Sequence, residues 1–207
     1  MGWFSRIFGE PGEAPFNSDL PEPEPLDWGK MEAVLFALSE RALRDFVAKH
    51  PADVFYGFGF DCDSERVQVL LCINSRAELE VSARDSLTSP YAAGRSLSQL
   101  MADYEWDIGT WRYQGFNLPS KRWDAQWAEA EAAVSNTLSF YRETRQREVH
   151  EKLQVEFMDM CARALLRLQS GEMFQGLHKE NEFRIFCADN GESVAEEGVV
   201  RMARLMA

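Results

Sequence analysis

Three histidines, four cysteines and one short run of alternating carboxylates are the side chains in this 207-residue sequence whose types could do chemistry. Acid–base or nucleophilic catalysis needs a nucleophile, a base and a charge-stabilising group within hydrogen-bond reach of one another. His50 closes an apolar repeat, where an imidazole answers the carbonyl end of a helix; His150 lies in a charged helical interval, and His178 in a loop next to a lysine. Asp61, Asp63 and Glu65 alternate like a calcium loop, but the glycine and the distal bidentate glutamate of an EF-hand are missing, so turn formation and solvation account for them. Cys62, Cys72, Cys161 and Cys187 are far apart in apolar surroundings, with no C-x-x-C pair, and read as buried thiols. The glycine-rich phosphate and dinucleotide loops, the G-x-S-x-G elbow and H-E-x-x-H are absent. The expectation is a protein with no catalytic, cofactor or metal site.

The charge balance narrows the partners. Against 22 basic residues stand 34 acidic ones, a formal charge of −12, which disfavours phosphate backbones and anionic lipid and favours a basic protein surface. Nucleic acid is not an expected partner, and the acidity also serves plain solubility. No signal-peptide core and no apolar run of membrane-spanning length is present, so a cytoplasmic protein without integral membrane association is expected.

The elements that would position any site follow from periodicity. Residues 1–25 read as a leader: Trp3, Phe4, Ile7 and Phe8 have amphipathic helical spacing, and residues 9–25 hold five of the eight prolines. Residues 26–207 read as one domain. Behind Asp27 as N-cap, Met31, Val34, Leu35, Leu38, Ala42, Leu43 and Phe46 form one helical stripe that ends before Pro51. Val54, Tyr56, Phe58 and Phe60 then alternate with Phe55, Gly57, Gly59 and Asp61, a strand that pairs in a hairpin with residues 66–73. Ser75 and Glu78 have capping-box spacing, as do Ser193 and Glu196. A helical piece over 96–104 precedes a stretch with Tyr104, Trp106, Trp111 and Tyr113, read as a turn leading into a short strand. Its aromatics suit either a core or a binding surface. Between Pro119 and Gly171 two long helices are expected, broken near residues 142–148, followed by a strand over 183–188 and a terminal helix. The sum is an α+β fold with a small, mostly antiparallel sheet covered by several helices, two of them long and C-terminal to the hairpin.

The order of a helix, Phe55-Tyr56-Gly57-Phe58-Gly59-Phe60-Asp61, a hairpin ending in Asn74-Ser75, and Trp106-Asp107-Ile108-Gly109-Thr110-Trp111 resembles an uncharacterised bacterial family, the domain-of-unknown-function group DUF4303, over residues 26–207. Members of that kind of family are thought to include immunity proteins that neutralise toxins passed between competing bacteria. The resemblance implies a non-catalytic, antitoxin-like protein that binds and blocks a cognate toxin, for example a nuclease. A different class of reading is a housekeeping scaffold module whose leader docks on a membrane or assembly. For a toxin inhibitor the candidate contacts are Asp61, Asp63, Glu65, Asp103, Glu105 and Asp107, with Trp106 as an anchor.

Overall fold

The computed structural model describes residues 21–118 and 121–206. The expected amphipathic start at Trp3 to Phe8 and most of the proline-rich leader lie outside the described residues.

Helix α1 (Trp28–Val47) opens where expected: the Asp27 carboxylate accepts the Lys30 amide at 2.9 Å, satisfying one of the amides that a helix start leaves unpaired. Its buried stripe of Met31, Leu35, Leu38, Leu43 and Phe46 faces the domain interior. Strand β1 (Phe55–Asp63) and strand β2 (Gln68–Ser75) form the expected antiparallel hairpin. Helices α2 (Arg76–Ser86) and α3 (Leu97–Tyr104), then long helices α4 (Lys121–Glu143) and α5 (Arg147–Gln169), lead through one turn, α6 (Glu172–Gln175), to strand β3 (Lys179–Asp189) and terminal helix α7 (Val199–Met206). The break between α4 and α5 falls inside the expected polar interval, with Arg145 at φ 57°.

The sheet order is β2-β1-β3, and β1 pairs with β3 in parallel, so the sheet is mixed rather than mostly antiparallel. The reason lies in the connection: a two-strand hairpin must be antiparallel, whereas β3 arrives after five helices and is free to take either direction. With helices on both faces, β1 is buried along nearly its whole length instead of alternating. Nor do its side chains keep the expected parity. A register shift between Phe55 and Gly57 is a bulge that places Tyr56 and Gly57 together on one face, while Phe55, Phe58 and Phe60 share the other. The Phe58 face packs with α1, α4 and α5 in the main core, and the Tyr56 face holds a second core with Cys72, Leu79, Ile108, Trp111 and Phe186.

The region after α3 departs from the expected short strand. Residues 108–110 form one 3-10 turn, and Tyr113 makes a single bridge to Ile73. The free edge of β2 is closed by other means: the buried Asn117 side chain accepts the Leu71 amide at 2.8 Å and donates to the Val69 carbonyl at 3.0 Å, and Phe116 donates its amide to the Leu71 carbonyl. A side-chain amide thus does the work of a neighbouring strand and leaves no open edge there. The capping expectations are partly redistributed. Ser75 caps α2, the reciprocal box forms between Ser96 and Gln99, and at Ser193 the chain enters α7 through a π turn (Val194–Gly198) in which Glu197, not Glu196, accepts the Ser193 amide.

Candidate functional site

Where two parallel strands end side by side, their last side chains and the following loops open toward solvent, and in this fold that place is the carboxyl end of β1 and β3. A groove of about 570 Å³ lies there, lined by Asp63 at the end of β1, Ser64 and Glu65 from the hairpin turn, Glu151, Gln154, Val155, Met158 and Asp159 from α5, Asp189 at the end of β3, Asn190 and Glu192 after it, and Arg201 and Arg204 from α7. Six carboxylates stand against two guanidinium groups.

The wall of the groove is built from fixed hydrogen bonds. Asp189 accepts the Ser64 amide at 2.8 Å and its hydroxyl at 2.5 Å, tying the hairpin turn to the end of β3. Glu192 accepts the Asp189 amide at 2.8 Å and forms a two-point ion pair with Arg201 at 2.6 and 2.7 Å, while Arg201 also donates to the Cys187 carbonyl. That hydrogen-bonded pairing holds the Glu192 carboxyl below its ordinary range and raises Arg201. Arg204 pairs with Asp159. Along the rim Glu65 is exposed, and Glu151 is engaged with Arg147 of its own helix at 2.6 Å, a surface pair of small energetic weight that an incoming cation can replace.

Chemically, the excess of carboxylates over guanidinium groups gives this groove a negative field. The buried Ser64 hydroxyl spends its proton on Asp189, and His50, His150 and His178 do not line the groove. The cysteines are not reactive groups either. Burial pushes Cys62 and Cys161 up, the contact with Cys62 together with burial raises Cys187, and Cys72 is pushed up to about 12 by burial, so all four are protonated thiols at neutral pH. Among the described residues no three histidine, cysteine, aspartate or glutamate side chains converge in a way that could hold a metal ion, and no helix is long and apolar enough to cross a membrane.

The seven candidate contacts are not brought to one place. Asp63 and Glu65 line the groove. Asp61 does not line it; its carboxylate accepts from Gln114 at 3.3 Å and is raised by burial. Asp103, Glu105, Trp106 and Asp107 lie at the other end of β1; from Tyr56 to Asp63 the strand spans roughly 20 Å. There the carboxylates are already engaged: Asp103 with Arg95, Glu105 with Arg76 at 2.6 Å, and Asp107 as acceptor of the Gly109 amide. Trp111 is buried, its ring NH donating to the Glu105 carbonyl at 3.1 Å, while Trp106 is half-buried edge-on to Tyr56 with Arg184 over its ring. Gly57 makes this packing possible, since a Cβ there would stand 2.9 Å from the Trp111 ring. The aromatic stretch is therefore core first. Glu151, Asp159, Asp189, Glu192, Arg201 and Arg204 were not singled out from the sequence; each sits in an ordinary charged surface pattern, and Asp189-Asn190-Gly191 is the one local signal, a turn closing a strand.

A family model described as a domain of unknown function, DUF4303, matches residues 37–206. The chain belongs to that family, an α+β fold with a mixed three-stranded sheet. No curated protein and no solved structure matches it.

Proposed function

We infer that this protein is a non-catalytic, cytoplasmic binding protein that neutralises a basic protein toxin by receiving part of the toxin's cationic surface in the groove at the carboxyl ends of β1 and β3. The observation that carries this reading is the excess of carboxylates in that groove, with Glu65 and Glu151 on its rim. A groove in which one charge sign predominates focuses its field and steers an oppositely charged partner. The net charge of −12 adds a long-range pull in the same direction. An inhibitor of a nuclease benefits twice from such a surface, because the nuclease's own phosphate-binding face is basic.

The test is co-expression of the chain with the product of the adjacent gene, followed by co-purification and a growth assay. The expected result is that the neighbour is harmful alone, harmless with this chain, and bound less tightly by Glu65→Lys and Glu151→Lys variants, with the loss residing largely in a slower, less salt-dependent association. A neighbour that is harmless alone and does not co-purify sinks the immunity reading. Retained binding by both charge-reversal variants moves the contact away from the groove.

A further inference from the structure

Val67, the last residue of the hairpin turn, sits at φ 58°, in the left-handed region, with its side chain fully buried in the main core. Glycine is the ordinary occupant of that region, and a β-branched residue is among the least suited to it, because Cβ crowds the following carbonyl oxygen. Such strain persists only where the surroundings over-determine the conformation. Here they do so from both ends of the turn. At its end, the Val67 isopropyl group lies in the core and the Trp127 ring NH donates to the Val67 carbonyl at 3.4 Å. At its start, Asp189 accepts the Ser64 amide and hydroxyl, and Asp63 accepts the Arg66 amide at 3.0 Å. Of residues 64–67 only Glu65 and Arg66, between these anchors, are exposed. The turn sends them apart: Glu65 lines the acidic groove, and Arg66 lines a separate cavity with Gln68, Val69 and Trp127.

We propose that Val67 is the positioning residue of the partner-binding groove: its buried side chain locks the turn in a conformation that presents the Glu65 carboxylate to the groove and keeps the Arg66 guanidinium out of its lining. This role deepens the toxin-binding reading and rests on it. Its physical basis is preorganisation. A rim carboxylate that is fixed before the partner arrives spares the encounter the entropy of ordering a loop. A turn free to rotate would bring a cation to the rim as readily as an anion, weakening the field that steers a basic partner. Glycine at position 67 would relieve the backbone at no steric cost but would give up the anchor, so the valine exchanges local strain for a fixed turn.

The first test uses the full chain alone. Val67→Gly permits the left-handed backbone and removes the anchor; lost burial set against relieved strain and added chain entropy predicts about tenfold faster hydrogen exchange at the Ser64 and Arg66 amides. Val67→Ile, which keeps a branched apolar anchor, is expected to exchange like the wild type. Val69→Ala empties a neighbouring core position on β2 and is expected to leave the turn amides unchanged, thermal melts establishing that each variant is folded. Should Val67→Gly not fold, Trp127→Phe removes the donor to the Val67 carbonyl and is expected to speed the same amides about twofold. Binding to the neighbouring gene product then reads the role: Val67→Gly slows association about threefold, and this slowing disappears in a Glu65→Gln background, because both changes act through one carboxylate. Turn amides that stay protected in Val67→Gly and Trp127→Phe overturn the proposal. So do turn amides that accelerate as much in Val69→Ala, which makes Val67 a core residue only, and slowing that persists in the Glu65→Gln background. A loosened turn in Val67→Gly with a neighbour that the wild type does not bind is the separate failure of the toxin-binding reading, and it takes the binding role with it.

Discussion

The two ends of β1 hold similar residue types to opposite effect. At the amino end, carboxylates and tryptophans are consumed internally: Glu105 neutralises Arg76 and lends its carbonyl to both Tyr56 and Trp111, and Asp107 closes a 3-10 turn. At the carboxyl end the strands diverge into loops, and Glu65 and Glu151 reach the rim of an open groove. The difference shows that an acidic residue's availability is set by its neighbours rather than by its charge. A carboxylate held in a half-buried ion pair or a cap, as Glu105 and Asp107 are, has little left to offer a partner, whereas the exposed Glu65 keeps its field and Glu151 gives up only an exposed pair with Arg147.

If this contrast is right, the amino end should answer mutation with lost stability and the carboxyl end with lost binding. The largest effect is expected from Trp111→Ala, which empties a buried indole site at 4% exposure and should cost about 3–5 kcal/mol, lowering the melting temperature by on the order of 10 °C; a change within about 1 kcal/mol in chemical denaturation would show that the aromatic cluster is not core. Next comes Asn117→Ala, which leaves the Leu71 amide and Val69 carbonyl at the β2 edge without their partner and should cost about 2–3 kcal/mol, with faster hydrogen exchange at Leu71 as its signature.

The groove itself supplies a pH signature. The lowered Glu192 carboxyl favours the folded state when ionised; its stabilisation is present above its unfolded value, taken as 4.5, and is lost as pH falls through the lower folded value. Melting temperatures followed from neutral pH to roughly pH 3 should therefore fall less steeply for Glu192→Gln than for the wild type, and identical acid limbs would remove Glu192 from the lock. The smallest stability effect belongs to Glu65→Lys, within about 0.5 kcal/mol. A folded, stable variant with unimpaired partner binding would erase the contrast between the two ends.

The amino-acid pattern alone specified much of this molecule. Asp27 and the Met31-to-Phe46 stripe fixed α1, the two alternating runs fixed a hairpin, although its turn falls at residues 64–67 rather than 61–65 because Asp61 and Asp63 stay paired with Leu70 and Gln68, and the polar interval after Tyr141 fixed the break between the long helices. These features depend on residues within a few positions of one another, and local periodicity and capping encode them directly. Tertiary structure decided the rest. The bulge at Phe55–Gly57 depends on what packs on each face of β1, so strict alternation put Tyr56 on the wrong side. The parallel pairing of β3 depends on the path of the helices between it and β1, and the closing of the β2 edge by Asn117 depends on a contact 46 residues away. The groove follows the same rule: Glu65, Asp159, Glu192 and Arg201 come from four separate parts of the chain. Their proximity is a product of strand order and helix packing, which sequence spacing does not carry.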